Sequence, residues 1–111
     1  MPELPEVETT RRGIAPHLMH QVIRGAVVRQ PQLRWPVPDL AGLLSGHTVQ
    51  AIERRGKYIL LRFAHGALIV HLGMSGSLRV LPAHSPARAH DHVDLLFGEH
   101  CLRLHDPRRF G

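Results

Sequence analysis

Apolar residues recur at helical spacing near the start of the chain and at strand-like spacing beyond it. Residues 3–18 are predicted to form a helix, with acidic residues in its first turns and arginines further on, as the helix dipole favours. Pro5 is compatible with the first turn, and Pro16 is expected to end the helix. The apolar stripe of this helix consists of Leu4, Val7, Ile14 and Leu18.

Short apolar runs separated by turn residues fill most of the remaining sequence, which predicts strands. These strands are expected at 22–28, 47–54, 58–63, 67–72, 77–81, 93–97 and 101–105. Asp39 is expected to cap a second, short helix that Gly46 ends. The pattern predicts a mainly β fold with some α: an antiparallel β-sandwich, or a barrel, flanked by the N-terminal helix and the second short helix.

The size and the cysteine content narrow the class of protein. A chain of 111 residues corresponds to a single domain, and 43% hydrophobic residues are enough for a core. No apolar run approaches the ~20 residues that a membrane span needs, and the acidic N-terminus does not fit a signal peptide. The single cysteine, Cys101, leaves no internal disulfide, so a reducing, cytoplasmic location is expected.

Positive charge comes almost entirely from arginine. The chain has 14 Lys and Arg against 9 Asp and Glu, and Lys57 is the only lysine. Because arginine binds phosphate in a bidentate manner, this bias favours a polyanionic partner, although a solvated basic surface has the same composition. The ten histidines include no His-x-x-x-His pair, and there is no Cys-x-x-Cys pair, so no metal or other cofactor is predicted in this chain.

The opening MPELPE makes a proline the N-terminal residue once Met1 is removed. The secondary amine of Pro2 would then be a nucleophile that forms an iminium ion with a sugar carbon. Glu3 is placed to protonate the ring oxygen of that sugar, and Glu6 lies one helical turn beyond Glu3 on the same side. The alternative is that both glutamates only stabilise the start of a helix.

Three further segments place chemically useful residues on turns. Lys57 follows a glycine and is suited to contact a phosphate or the reacting sugar. Met74 lies among glycines and serines, where it suits a wedge inserted into a base stack. The segment DPRRFG holds Arg108, Arg109 and Phe110, which suit base-edge, phosphate and stacking contacts. Each segment is also compatible with an ordinary surface turn or strand end.

Five stretches, in order along the chain, resemble the formamidopyrimidine-DNA glycosylase family: PELPEVETTRRG, RRGKYILL, HLGMSGSLR, HDHVDLLF and DPRRFG. The resemblance spans residues 1–111 and implies the β-sandwich N-terminal catalytic domain of that family, with the nucleophile on the first helix. It also implies that family members continue into a helix–two-turn–helix domain and a zinc finger holding one zinc. Both are absent from this sequence, so the activity of these residues alone is expected to be impaired.

The resemblance implies catalytic roles for four residues. Pro2 would attack the deoxyribose C1′ to form a Schiff base, and Glu3 would help to open the sugar. Glu6 would support the Pro2 amine, and Lys57 would donate a proton in β-elimination and contact phosphate. The implied function is base-excision repair by a bifunctional DNA glycosylase and AP lyase, which removes 8-oxoguanine or formamidopyrimidines and then carries out β,δ-elimination.

The resemblance also implies a DNA-binding set of six residues. Those implied to hold the DNA backbone are His71, His90 and Arg109. Those implied to fill the gap left by the flipped nucleotide are Met74, Arg108 and Phe110. Arg108 would read the opposite cytosine. The implied partner is double-stranded DNA with an oxidised purine, and the implied protein is a monomer in the bacterial cytoplasm, associated with the nucleoid.

Two other functions stay open from the residues alone. A DNA-binding fragment without catalysis would tolerate changes at Pro2, and its affinity would depend on the arginines and on salt concentration. An isomerase that uses an N-terminal proline as a base would explain Pro2. It would leave the segments HLGMSG and DPRRFG unexplained.

Overall fold

A computed structural model describes residues 4–29, 39–72 and 76–107 of the chain. Its elements are α1 (Leu4–Leu18), β1 (Gly25–Val28), α2 (Leu40–Leu44), β2 (Ala51–Arg55), β3 (Tyr58–Phe63), β4 (Gly66–His71), β5 (Ser77–Pro82), β6 (Asp91–Leu96) and β7 (His100–His105). One antiparallel sheet has the strand order β1-β6-β7-β5, and the other has the order β2-β3-β4. The predicted mainly β fold with an N-terminal helix and a second short helix is confirmed.

One hydrophobic cluster joins α1 to both sheets. In β3, every second side chain enters this cluster, which is the alternation expected of a strand with one buried face. These β3 residues are Ile59, Leu61 and Phe63. Helix α1 contributes Val7, Ile14 and Leu18, which share one face of a helix. Burying each such aliphatic side chain contributes about 1.5–3 kcal/mol, so the cluster fixes α1 against the strands.

Helix α1 ends at the predicted bound, residue 18, but Pro16 does not end it. Pro16 lies inside the helix, which ends at Leu18. Beyond the first turn of a helix, proline removes one backbone hydrogen bond and its ring crowds the carbonyl four residues earlier. The complete burial of Leu18 offsets that loss. The prediction that Pro16 ends the helix is therefore wrong.

The first strand is shorter than predicted. β1 begins at Gly25, and Val22 forms only an isolated bridge with Thr48. The backbone of residues 20–23 bonds instead to residues 47–49, with the amide of Ile23 donating to the carbonyl of His47 at 2.9 Å. The same pairing delays the start of β2, which was expected at His47 and begins at Ala51.

The second helix forms as the local sequence predicts. The Asp39 carboxylate accepts a hydrogen bond from the amide of Gly42 at 3.1 Å, which satisfies one of the free donors at the start of α2. The helix ends at Leu44, and Gly46 follows with φ +87°. That backbone conformation favours glycine and stops the helix.

Candidate functional site

Three chain segments emerge together at one end of the four-stranded sheet. Ser77 of β5 pairs with His105 of β7, and His105 pairs with Asp91 of β6. Ser77 and Asp91 begin their strands, whereas His105 ends its strand. The described residues next to them, Gly76, His90 and Asp106, therefore lie at the same end of the sheet. They belong to the segments predicted to contact DNA, which are 72–76, His90 and 106–111.

The three-stranded sheet adds two more candidates at the same end of the molecule. Tyr58, the first residue of β3, pairs with His71, the last residue of β4. Lys57 is exposed and immediately precedes Tyr58 in the turn between β2 and β3. Segment 72–76 connects His71 directly to β5 of the other sheet. The structure thus places the turn of Lys57 and the end of β4 beside the segments of the four-stranded sheet.

Tyr58 is a member of this group that sequence reasoning missed. Its ring lies 5.0 Å from the ring of His71, measured between centroids and with a tilt of 38°. Tyr58 is 47% exposed, so its ring packs against His71 and is also accessible to solvent. The motif GKY holds the signal, because an aromatic residue beside a lysine on a turn suits a nucleic-acid contact.

The segment around Met74 is closed by its own backbone. The amide of Gly76 donates to the carbonyl of Leu72 at 2.9 Å, and both residues are buried. A side chain at position 76 would overlap that same carbonyl oxygen. Glycine is therefore required here by a close backbone approach. The closure brings Leu72, which follows β4, next to Gly76, which precedes β5, and so ties the two sheets together at this point.

We expect Gly76→Ala to lower the free energy of unfolding by about 1–3 kcal/mol, because the added carbon cannot be accommodated without moving the backbone. Chemical denaturation followed by circular dichroism measures the change. Gly66→Ala is the matched control, since a Cβ there meets nothing within 4 Å. Equal stability of the two variants would contradict the role of the closed backbone.

His90 is the last residue of the segment that precedes β6 in the four-stranded sheet. It is exposed and has φ +69°, an uncommon conformation for a residue with a side chain. Its carbonyl accepts a hydrogen bond from the amide of Asp106 at 3.0 Å. Nε2 of His92 in turn donates to the carbonyl of Asp106 at 2.6 Å. These two bonds hold the backbone at His90 against the start of the final segment.

A buried ionic network lies beneath the His90 segment. Arg103 of β7 is 2% exposed and binds both carboxylate oxygens of Asp94, at 2.9 and 3.0 Å. It also donates to the carbonyl oxygens of Ser85 and Pro86, at 2.8 and 3.1 Å. Arg29, which follows β1, is a second partner of Asp94 at 3.0 Å. The network therefore fastens the segment before β6 to the sheet.

Asp91 completes this network at the start of β6. Its carboxylate accepts the amide of Arg88 at 2.7 Å and Nδ1 of His105 at 2.8 Å. Burial by itself would raise the pKa of Asp91, but the hydrogen bonds from Arg88 and His105 outweigh it and lower the pKa. For Asp94, burial is likewise outweighed, here by the hydrogen bonds from Arg103 and Arg29, and its pKa is lowered as well. Both carboxylates are thus ionised at neutral pH.

The sequence predicts that the next strand begins at Val93, which places His90, Asp91 and His92 before it as a phosphate contact or a polar loop; only His90 lies before the strand. His90 precedes the strand, whereas Asp91 and His92 are buried within β6. The signal for the buried charges was present, because Asp94 interrupts an apolar run in β6 and Arg103 interrupts one in β7. Opposite charges inside two apolar strands favour a buried ion pair.

The candidate residues differ in what the structure says of them. Glu6 lies exposed in the first turn of α1. Those outside the described residues are Pro2, Glu3, Met74, Arg108, Arg109 and Phe110. Within the described ranges, no three His, Cys, Asp or Glu side chains are grouped to hold a metal ion. Nor does either described helix have the length and apolar character to cross a membrane.

Comparison with known sequences gives a match over the whole chain. The family model described as formamidopyrimidine-DNA glycosylase N-terminal domain matches residues 1–111. Formamidopyrimidine-DNA glycosylase of Marinobacter nauticus is 63% identical over 113 residues, which cover 100% of this chain and 42% of that protein. The enzyme of the same name from Bordetella petrii is 62% identical, with 100% of this chain and 41% of that protein covered.

Solved structures agree with the sequence match. The Lactococcus lactis Fpg in complex with DNA containing an abasic site has a TM-score of 0.90 and 35% identity, covering 98% of this chain and 42% of that chain. A second Lactococcus lactis Fpg structure, with DNA containing FAPY-dG, has a TM-score of 0.89 and 35% identity, covering 97% and 42%. This chain belongs to the formamidopyrimidine-DNA glycosylase family and corresponds to the N-terminal domain of its members.

Proposed function

We propose that residues 1–111 form the catalytic N-terminal domain of a base-excision repair enzyme that acts on double-stranded DNA. The observation that carries the proposal is the convergence of Lys57, His71 and His90 at one end of the two sheets. Cationic and imidazole side chains on adjoining turns suit a row of backbone phosphates. The bacterial relatives and the DNA complexes of similar structures support the same partner.

The proposed reaction begins at the N-terminal amine. Removal of Met1 frees the Pro2 nitrogen, which attacks C1′ of the damaged nucleotide, forming a carbon–nitrogen bond as the bond to the oxidised purine breaks. The nitrogen loses its proton in this step, and the departing purine takes up a proton. Glu3 protonates the sugar ring oxygen as the ring opens, and the iminium ion then accepts the electrons released when a proton leaves C2′. Glu6 supports the amine. Elimination of the 3′ phosphate, with Lys57 contacting phosphate and supplying a proton, completes the β step, and δ-elimination follows.

The remaining residues of the proposal bind the DNA. His71, His90 and Arg109 contact the backbone, while Met74, Arg108 and Phe110 occupy the space of the extruded nucleotide. The chain covers 41–42% of the length of the relatives above, so removal of 8-oxoguanine and formamidopyrimidines is proposed for the whole protein. We propose that these 111 residues keep the amine chemistry with impaired lesion recognition, in a monomeric, nucleoid-associated protein of the bacterial cytoplasm.

Borohydride trapping tests this proposal. The purified chain is incubated with duplex DNA that contains either an abasic site or 8-oxoguanine opposite cytosine, and the reduced adduct is located by mass spectrometry. We expect an adduct at Pro2 with the abasic duplex and much less adduct with the 8-oxoguanine duplex. Absence of any adduct from folded protein without Met1 would overturn the enzymatic proposal.

A second candidate function is DNA binding without catalysis. Its support is that Lys57, His71 and His90 are residue types that can bind backbone phosphates without taking part in a reaction. A duplex that binds with steep salt dependence but yields no adduct would favour this candidate.

A further inference from the structure

Glu8 of α1 forms ion pairs with three arginines, which belong to two different elements. Its carboxylate binds Arg11 through two bonds, at 2.6 and 3.0 Å, and Arg12 at 2.9 Å, all within the helix. Arg54 of β2 reaches the same carboxylate at 3.1 Å from another part of the chain. Glu8 and Arg54 are 25% and 31% exposed, so the contact lies at the edge of the packed interior.

Arg54 also holds the turn that presents Lys57. Its second guanidinium nitrogen donates to the carbonyl of Gly56 at 3.1 Å, while Nε binds Glu8. Gly56 has φ +57°, a left-handed conformation that turns the chain between β2 and β3. One planar guanidinium therefore spans from α1 to the backbone carbonyl that precedes Lys57, and the fixed geometry of arginine suits such a two-sided contact.

A second contact makes the joint between α1 and β2 stiffer. Arg11, itself bound to Glu8, donates to the carbonyl of Ile52 in β2 at 3.3 Å. The hydrogen bonds from Arg11 and Arg12, with a further one from Arg54, hold the pKa of Glu8 well below its usual range. Glu8 consequently stays ionised across neutral and mildly acidic pH, and the joint does not titrate where the enzyme would work.

We propose that Glu8 and Arg54 are positioning residues, which set the start of α1, and with it the Pro2 amine, against the turn that carries Lys57. The inference rests on the proposed function. Pro2 lies two residues before the first described residue of α1, and Glu8 lies four residues after it, about 6 Å along the helix axis. A nucleophile and its proton donor must keep a fixed separation, and small misplacements of reacting groups reduce rates steeply.

Because Glu8 is negatively charged, the two explanations predict opposite changes in the trapping rate when its charge is removed. Glu8→Gln removes a negative charge, so general electrostatics would strengthen DNA binding and speed trapping. The positioning role predicts the opposite. We expect the first-order rate of borohydride trapping at saturating abasic duplex to fall about 10-fold in Glu8→Gln, with the half-saturating DNA concentration no higher than that of the unaltered chain.

Arg54→Met is the second variant, and it leaves the contacts of Glu8 with Arg11 and Arg12 in place. We expect a similar loss in trapping rate, and the double variant should be no slower than the slower single variant, because both changes break one contact. Glu53→Gln is the matched control, since Glu53 precedes Arg54 in β2 but forms its ion pair with Arg62 of β3 rather than with α1. It should trap at the unaltered rate.

The outcomes separate the two proposals. Trapping by the unaltered chain together with unchanged or faster trapping by Glu8→Gln and Arg54→Met would overturn the positioning role alone. Additive losses in the double variant would also overturn it. No trapping by the unaltered chain would overturn the proposed function, and the positioning role with it. Thermal unfolding of each variant shows whether a slower rate belongs to folded protein.

Discussion

Asp94→Asn should lower the free energy of unfolding by about 3–5 kcal/mol, the range expected when one partner of a buried ion pair is removed. The neutral amide cannot balance Arg103, which is 2% exposed and surrounded by apolar strands. Urea unfolding followed by circular dichroism measures the loss. Glu99→Gln, in the exposed turn between β6 and β7, is the control and should change stability by less than about 0.5 kcal/mol.

The same variant should change how stability depends on pH. The pKa of Asp94 is lower in the folded chain than the reference value of about 3.9, so its stabilising effect is complete above that reference and is lost as pH falls through the folded value. The unaltered chain should therefore lose stability steeply below about pH 4, and Asp94→Asn should lose less. Parallel curves for the two proteins would contradict this assignment.

Loss of this network should disturb the geometry of the proposed DNA interface as well as the stability of the core. Arg103 fixes the carbonyls of Ser85 and Pro86, and Asp91 fixes the amide of Arg88. These bonds hold the segment that ends at His90. Because residues 86–90 are exposed, these bonds to buried ions are direct attachments of the segment to the sheet. Stability and site geometry are therefore coupled through one arginine.

Local signals explain why much of the fold could be predicted. Asp39 caps α2 through a residue three positions away, and a short apolar run between turn residues identifies β3 without reference to any other strand. Where the prediction failed, the cause is a distant partner. Val22 and Thr48 form a bridge across the chain, and neither residue shows in its own neighbourhood that β1 will begin only at Gly25. Burial of Leu18 similarly overrides the local effect of Pro16.

The site shows the same division between local and distant information. The motifs name the candidate residues, but β5 pairs with β7 rather than with its neighbour in sequence, so the row Ser77, His105 and Asp91 requires the sheet order. The role of Arg54 depends on its contact with Glu8, 46 residues away. A charged residue in a surface strand is usually solvated. The sequence around Arg54 does not show whether its side chain is solvated or bound to a distant carboxylate.

Pro2→Leu should reduce the trapped adduct with abasic DNA at least ~100-fold. A large second residue prevents removal of Met1. The N-terminal amine would then belong to Met1, one residue before position 2, a displacement of about 3.5 Å. Displacements of even ~1 Å cost about 100-fold when reacting groups must be aligned. The measurement is the amount of borohydride-trapped adduct at a fixed time, with the attachment point assigned by mass spectrometry.

Pro2→Gly is the informative control for this variant, because glycine permits removal of Met1 and keeps an amine at the same position. Its primary amine should still be trapped, more slowly than proline, since a secondary amine gives a permanently charged iminium ion whereas a primary amine gives an imine that must first be protonated. If Pro2→Leu were trapped as readily as the unaltered chain, with the adduct on Lys57, the nucleophile would be the lysine of the β2–β3 turn. The Pro2 assignment requires loss in the first variant and retention in the second.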